Sequence, residues 1–99
     1  MKNENVNWAE VERLFPVGSI VNCKAKFHVN FGVFADIGHP VVMGLVEVTE
    51  FLDEAYVQPE YPPIGSYFPA VVFDYRPENN EIKLIAKPSV IEKAKSTTG

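Results

Sequence analysis

Phe31 and Phe34, three positions apart with Gly32 between them, are the pair in this 99-residue chain whose type and spacing best suit a flat ligand. In a regular strand, residues three apart face opposite sides. A glycine bulge at Gly32 would insert one extra residue and turn both rings to the same side. Two exposed rings of that kind stack on single-stranded bases, each stack being worth about 1 to 3 kcal/mol. Lys24 and Lys26 alternate along the preceding segment, and Lys83, Lys87 and Arg76 lie near the other end of the sequence. Cations so placed supply the phosphate contacts that hold a nucleic acid in place while the rings hold its bases.

A second set of residues has the opposite sign. Between Glu47 and Glu60 the chain carries Glu50, Asp53 and Glu54 and no Lys or Arg, and Glu81 stands further on. The formal net charge is −4, the wrong sign for a chain that lives mainly on phosphate contacts. Glu47, Glu50, Asp53, Glu54 and Glu81 therefore support a different function, a protein-interaction face that recognises a basic partner such as a nucleic-acid-binding protein or a nuclease it blocks. Each charged set also reads as a solvated face that keeps a small protein in solution. Charge placement decides between these readings, and the sequence leaves it open.

The remaining reactive groups suggest little. Cys23 is the only cysteine, so no intrachain disulfide forms; this fits a reducing compartment and a cytoplasmic location. It falls on the apolar face of its segment, and nothing nearby would lower its pKa. His28 and His39 lack a second metal-type ligand at a useful spacing, with Asp36 the nearest candidate for His39, so no metal and no cofactor are expected. No nucleophile elbow, phosphate loop or carboxylate pair with a base is present, and the chain does not read as an enzyme. Met1 to Asn5 is polar, unlike a signal peptide, and no run approaches the roughly 20 apolar residues that span a bilayer, so no membrane partner is expected.

The elements that would position these residues are mostly short strands. Asn7 and Glu10 have capping-box spacing, and Trp8, Val11, Leu14 and Phe15 recur at helical spacing before Pro16, which predicts a helix within residues 7–15 whose stripe plugs a barrel end. Ser19 to Phe27 alternates as a first strand, with Val21, Cys23, Ala25 and Phe27 facing inward. A second strand runs from Phe31 to Ile37 and a third from Val41 to Val48, with Gly44 as a bend. Thr49 caps a short helical turn reaching about Ala55, and Pro59, Pro62 and Pro63 hold an extended connection. A fourth strand covers Tyr67 to Asp74, where Pro69 marks an edge or bulge, and a fifth covers Glu81 to Ala86. Pro88 then opens a polar helical tail over 88–99. The predicted interior is Val21, Cys23, Ala25, Val33, Ala35, Val46, Val48, Val72 and Leu84.

Five short strands with one helical turn between the third and fourth is the layout of an OB barrel. The blocks Val17-Gly18-Ser19-Ile20-Val21, Phe31-Gly32-Val33-Phe34, Gly44-Leu45-Val46-Glu47-Val48-Thr49, Ile64-Gly65 and Val72-Phe73-Asp74 resemble, in order and spacing, those of the S-one RNA-binding domain, the module named after ribosomal small-subunit protein one. The likeness covers residues 16–87 of what reads as a single domain over 1–99. It implies an all-β fold, a five-stranded OB-type barrel with short N- and C-terminal helices, and single-stranded RNA as the ligand. In that family one barrel face gathers two strand-two aromatics, a histidine late in strand three, an aspartate ending strand four and an arginine opening strand five. Phe31, Phe34 and Asp74 match; Glu47 stands at the histidine position and Glu81 at the arginine position, so binding is expected to be weak and salt-dependent.

Overall fold

A computed structural model describes residues 6–97. The polar Met1 to Asn5 segment and the final Thr98-Gly99 of the predicted tail lie outside the described residues. The chain runs α1 (Trp8–Leu14), β1 (Ile20–Val29), β2 (Gly32–Asp36), β3 (Met43–Glu47), a 3-10 turn (Val48–Glu50), β4 (Tyr67–Arg76), a second 3-10 turn (Pro77–Asn79), β5 (Glu81–Ile85) and α2 (Pro88–Thr97). The strands form a closed barrel in the order β1-β2-β3-β5-β4. All neighbours are antiparallel except β3 and β5, which run parallel. This is the all-β, OB-type barrel with two short helices that the sequence predicts.

The interior follows from strand alternation. Cys23, Ala25, Val33, Ala35, Val46, Val72, Ile82 and Leu84 are all buried in one cluster, as expected for inward positions, whereas Val21 and Val48 are only half-buried. The Asn7 side chain accepts a hydrogen bond from the Glu10 N–H at 3.2 Å, which starts α1 and turns Val11 into the same cluster. Trp8 meets Tyr75 edge-on at 6.2 Å, and the Tyr75 hydroxyl donates to the Phe15 carbonyl at 2.7 Å, fixing the helix to β4.

Three expectations need correction. Phe27 does not face inward; it is 45% exposed. The pairing of β1 with β2 shifts between Ala25 and Phe27, so Lys26 is an extra residue and the alternation resets there. The expected bulge at Gly32 is absent: Gly32 pairs regularly with Val29 and Glu47. Its lack of a side chain serves packing instead, since a Cβ there would fall 2.3 Å from the Val46 carbonyl oxygen. The turn after β3 is a single 3-10 turn at Val48–Glu50 with no side-chain cap, shorter than the turn predicted from Thr49. The strand ends also differ: β1 and β4 run on to Val29 and Arg76, whereas β2, β3 and β5 stop at Asp36, Glu47 and Ile85, short of the predicted ends. Pro69 lies where β4 has only β1 as a neighbour, opposite Asn22, and costs no ladder bond on the other side.

Candidate nucleic-acid interface

Cross-strand register arranges the outer face in rows. One row reads Phe27 on β1, Phe34 on β2, Leu45 on β3, Lys83 on β5 and Asp74 on β4, each directly opposite the next. The neighbouring row reads Tyr67, Lys24, Asp36, Met43, Glu81 and Arg76. Phe31 sits in the turn before β2, outside the strand, so strict alternation does not apply to it. Its carbonyl accepts from the Val48 N–H at 2.7 Å, which holds the turn against the end of β3.

Phe34 is the centre of an aromatic cluster. Its ring lies 5.1 Å from Phe27 and 6.1 Å from Phe31, the second pair edge-on. Such contacts hold rings in place at little entropic cost. Phe31 and Phe34 come together as the sequence predicts, by a different route: the turn places one and the strand the other. Phe27 is the residue that sequence reading misses. Its only signal is negative, an aromatic at an inward position whose strand carries one residue too many, and a bulge of that kind has no sequence mark at Lys26.

The charged residues are arranged differently from either expected patch. Lys83 is buried, 5% exposed, and its ammonium lies 2.9 Å from the Glu47 carboxylate, so the expected phosphate contact is already neutralised within the chain. Glu81, taken as the arginine position, is one row away from the rings; the cation that stands in the aromatic row beside Asp74 is Lys83. Asp74 is exposed and accepts from the Tyr75 N–H at 2.8 Å. Lys24 and Lys26 are exposed on β1, and the Lys24 ammonium stands 5.9 Å from the centre of the Tyr67 ring.

The acidic run fastens one stretch of chain to another. Glu47 meets Lys83, Glu50 lies 3.8 Å from Lys87, and the Asp53 carboxylate accepts from both the N–H and the hydroxyl of Ser89. Three acids, each three residues after the last, thus engage three partners in the same order from β5 to the start of α2, and Asp53 supplies an acceptor to the first turn of α2, where Pro88 has no N–H to offer. Glu54 is exposed on the following loop. A groove of about 580 Å³ lined by Glu50, Asp53, Glu54, Tyr56 and Lys87 among others lies on this loop and includes none of the three phenylalanines.

The two histidines are structural. The His28 ring lies on β1 with Nε2 2.7 Å from the Pro62 carbonyl and packs edge-to-face with Tyr61 at 5.1 Å, so it is tied to the proline-rich connection. His39 Nδ1 accepts from the N–H groups of both Val41 and Val42 at 3.0 Å, while Asp36 accepts from Gly38 at 2.7 Å. Among the described residues no cluster of His, Cys, Asp and Glu could hold a metal ion. Cys23 is fully buried, donates to the Phe68 carbonyl at 3.3 Å, and burial pushes its thiol up to about 12. No helix among the described residues is long and apolar enough to cross a membrane.

No protein-family model matches the chain, and no curated protein matches it in sequence. Solved structures do. The chain is similar to GSP13 from Bacillus subtilis at a TM-score of 0.63 and 24% identity, over 73% of this chain and 55% of that one. It is similar to a chain of the a/eIF2alpha-aDim2p-rRNA complex from Pyrococcus horikoshii at 0.65 and 20%, over 83% and 50%. A third likeness, at 0.55 and 15%, covers 95% of this chain and 36% of a multidomain protein with nucleic acid binding domains from Streptococcus pneumoniae. The chain thus spans about half the length of the first two structures' chains, and the shared feature is the barrel fold.

Proposed function

We propose that the barrel is a binding module for single-stranded RNA, with bases stacked on Phe27, Phe31 and Phe34 and phosphates met by Lys24 and Lys26. The observation that carries this reading is the three-ring cluster of exposed Phe27 and Phe31 around half-buried Phe34, on the β1-β2-β3 side where OB barrels hold oligonucleotides. The S-one resemblance supports it, as do the rRNA complex and the nucleic acid binding domains among the similar structures. Asp74, in the same row, accepts hydrogen bonds and suits the amino edge of a base. Affinity is weak in this reading, because Lys83 is bound to Glu47, which leaves exposed Lys26 next to Phe27 and exposed Lys24 one row away.

A basic protein partner at Glu47, Glu50, Asp53, Glu54 and Glu81 is the second reading, and it faces internal competition. Such a partner would have to displace Lys83, Lys87 and Ser89 from the carboxylates they already hold. The Phe27 and Phe31 rings, by contrast, are exposed. The chain acts by binding, and no reaction step is assigned to it.

The test is a low-salt anisotropy titration with single-stranded RNA. Phe34→Ala, at the centre of the cluster, is expected to weaken binding by about 1 to 3 kcal/mol, and Phe27→Ala by a similar amount. Binding that is indifferent to both substitutions would remove the stacking face from consideration.

A further inference from the structure

The aromatic cluster ends at Phe27, yet the outer surface next to it carries another exposed ring. Tyr67 opens β4, is 64% exposed, and pairs directly with Lys24 across the β1-β4 ladder. The Lys24 ammonium stands over that ring, 5.9 Å from its centre. A hollow of about 150 Å³ adjoins the pair, lined by Asn22, Lys24, Asp36, Ile37, Gly38 and Tyr67, a volume sufficient for one aromatic ring. The hollow therefore brings together a planar platform, a cation and, from Asn22 and Asp36, both donor and acceptor atoms.

The geometry points to a second stacking subsite for single-stranded nucleic acid at Tyr67, with Lys24 meeting the phosphate beside the stacked base and Asn22 addressing its edge. This inference rests on the RNA-binding reading of the phenylalanine cluster. Single-stranded nucleic acids are held by alternating rings and cations along a track, and β1 supplies that alternation here: Phe27, then Lys26 and Lys24, then Tyr67 across the ladder. From Phe34 to Tyr67 is two strand spacings across and about three residues along, on the order of 12 to 14 Å. One or two bases fill the phenylalanine cluster; a longer strand crosses β1 and reaches Tyr67. The path runs sideways from β2 over β1 onto β4, away from Glu47 and the acidic loop.

The length of the ligand separates the two subsites. A dinucleotide and an eight-nucleotide single-stranded RNA are titrated at low salt into the natural chain and into Tyr67→Ala, Tyr67→Phe and Phe34→Ala, with affinities and ring-proton shifts read by NMR. Tyr67→Ala is expected to weaken the eight-nucleotide strand about five- to hundredfold and to leave the dinucleotide unchanged. Tyr67→Phe keeps the ring and should bind both as the natural chain does. The Tyr67 ring protons should move with the longer strand alone. Because Tyr67 is exposed, an unchanged amide spectrum is expected for each Tyr67 variant. Unchanged eight-nucleotide affinity in Tyr67→Ala, with loss in Phe34→Ala, overturns the second subsite and leaves the RNA reading standing. Failure of the natural chain to bind either oligonucleotide overturns both.

Discussion

At the scale of single residues, Glu47 and Lys83 show why charge counting misleads. The sequence assigns them to rival functions, one as a repelling acid and the other as a phosphate contact, yet they form one ion pair. Glu47→Gln removes the partner of a buried ammonium. Because the carboxylate is 40% exposed, the expected loss of stability is about 1 to 3 kcal/mol, between that of a surface and a buried pair, measurable by urea unfolding. The released lysine should turn toward solvent and strengthen RNA binding. Cys23 gives a second expectation. Its folded pKa is raised by burial to about 12 from an ordinary 9.0, and that of Tyr75 is raised chiefly by burial and then by the Glu12 charge. For an acid raised in the folded state, stability is complete below the unfolded pKa and is lost as pH rises toward the folded one. Stability should therefore be flat up to about pH 9 and then fall by about 1.4 kcal/mol per pH unit for the thiol alone. Denaturant unfolding across pH 8 to 11 checks the sign.

At the scale of elements, most of what alternation encodes was legible and most of what pairing creates was not. The helix Trp8–Leu14, the number of strands and the burial of Val33, Val46, Val72 and Leu84 follow from periodicity, which is a property of one segment at a time. The orientation of Phe27 depends on which residue of β1 goes unpaired against β2. The acidic run likewise reads as a patch until β5 and α2 bring Lys83, Lys87 and Ser89 to meet it. The bulge makes an unusual expectation. Deleting one residue from a regular strand reverses the facing of everything beyond it. Deleting Lys26 instead removes the extra residue, so Ala25 stays inward, Phe27 stays outward opposite Phe34, and the barrel keeps its register. The Lys26 deletion should fold with native-like amide dispersion, whereas deletion of Asn22, in the regular part of β1, should abolish folding.

At the scale of the whole molecule, a net charge of −4 is compatible with RNA binding because the charges are sorted by position. Three acids are engaged by Lys83, Lys87 and Ser89 on the β5-α2 side, while Lys24 and Lys26 stand exposed on β1. For single strands the logarithm of affinity falls by about 0.7 per neutralised phosphate for each logarithm of salt. Two lysines predict a slope of about −1.4, read from titrations at several salt concentrations. A slope near −3 would require more cations than the described residues of the aromatic face offer. In Glu47→Gln the slope should steepen by about 0.7, tying the local ion pair to a global property.

The insertion of β5 between β3 and β4 has a kinetic consequence. β3 finds its parallel neighbour, and the last part of β4 its antiparallel one, only when residues 81–85 arrive. Until then a growing or refolding chain holds two open strand edges, the form in which β proteins most readily join to one another. Closure by pairings so distant along the chain is slow, in the millisecond-to-second range typical of small barrels. The same late strand brings Lys83 to Glu47 and carries α2 toward Asp53. A ribosome still holding residues 81–85 in its exit tunnel therefore carries an unclosed barrel, and the two edges are sealed in one step after that segment emerges.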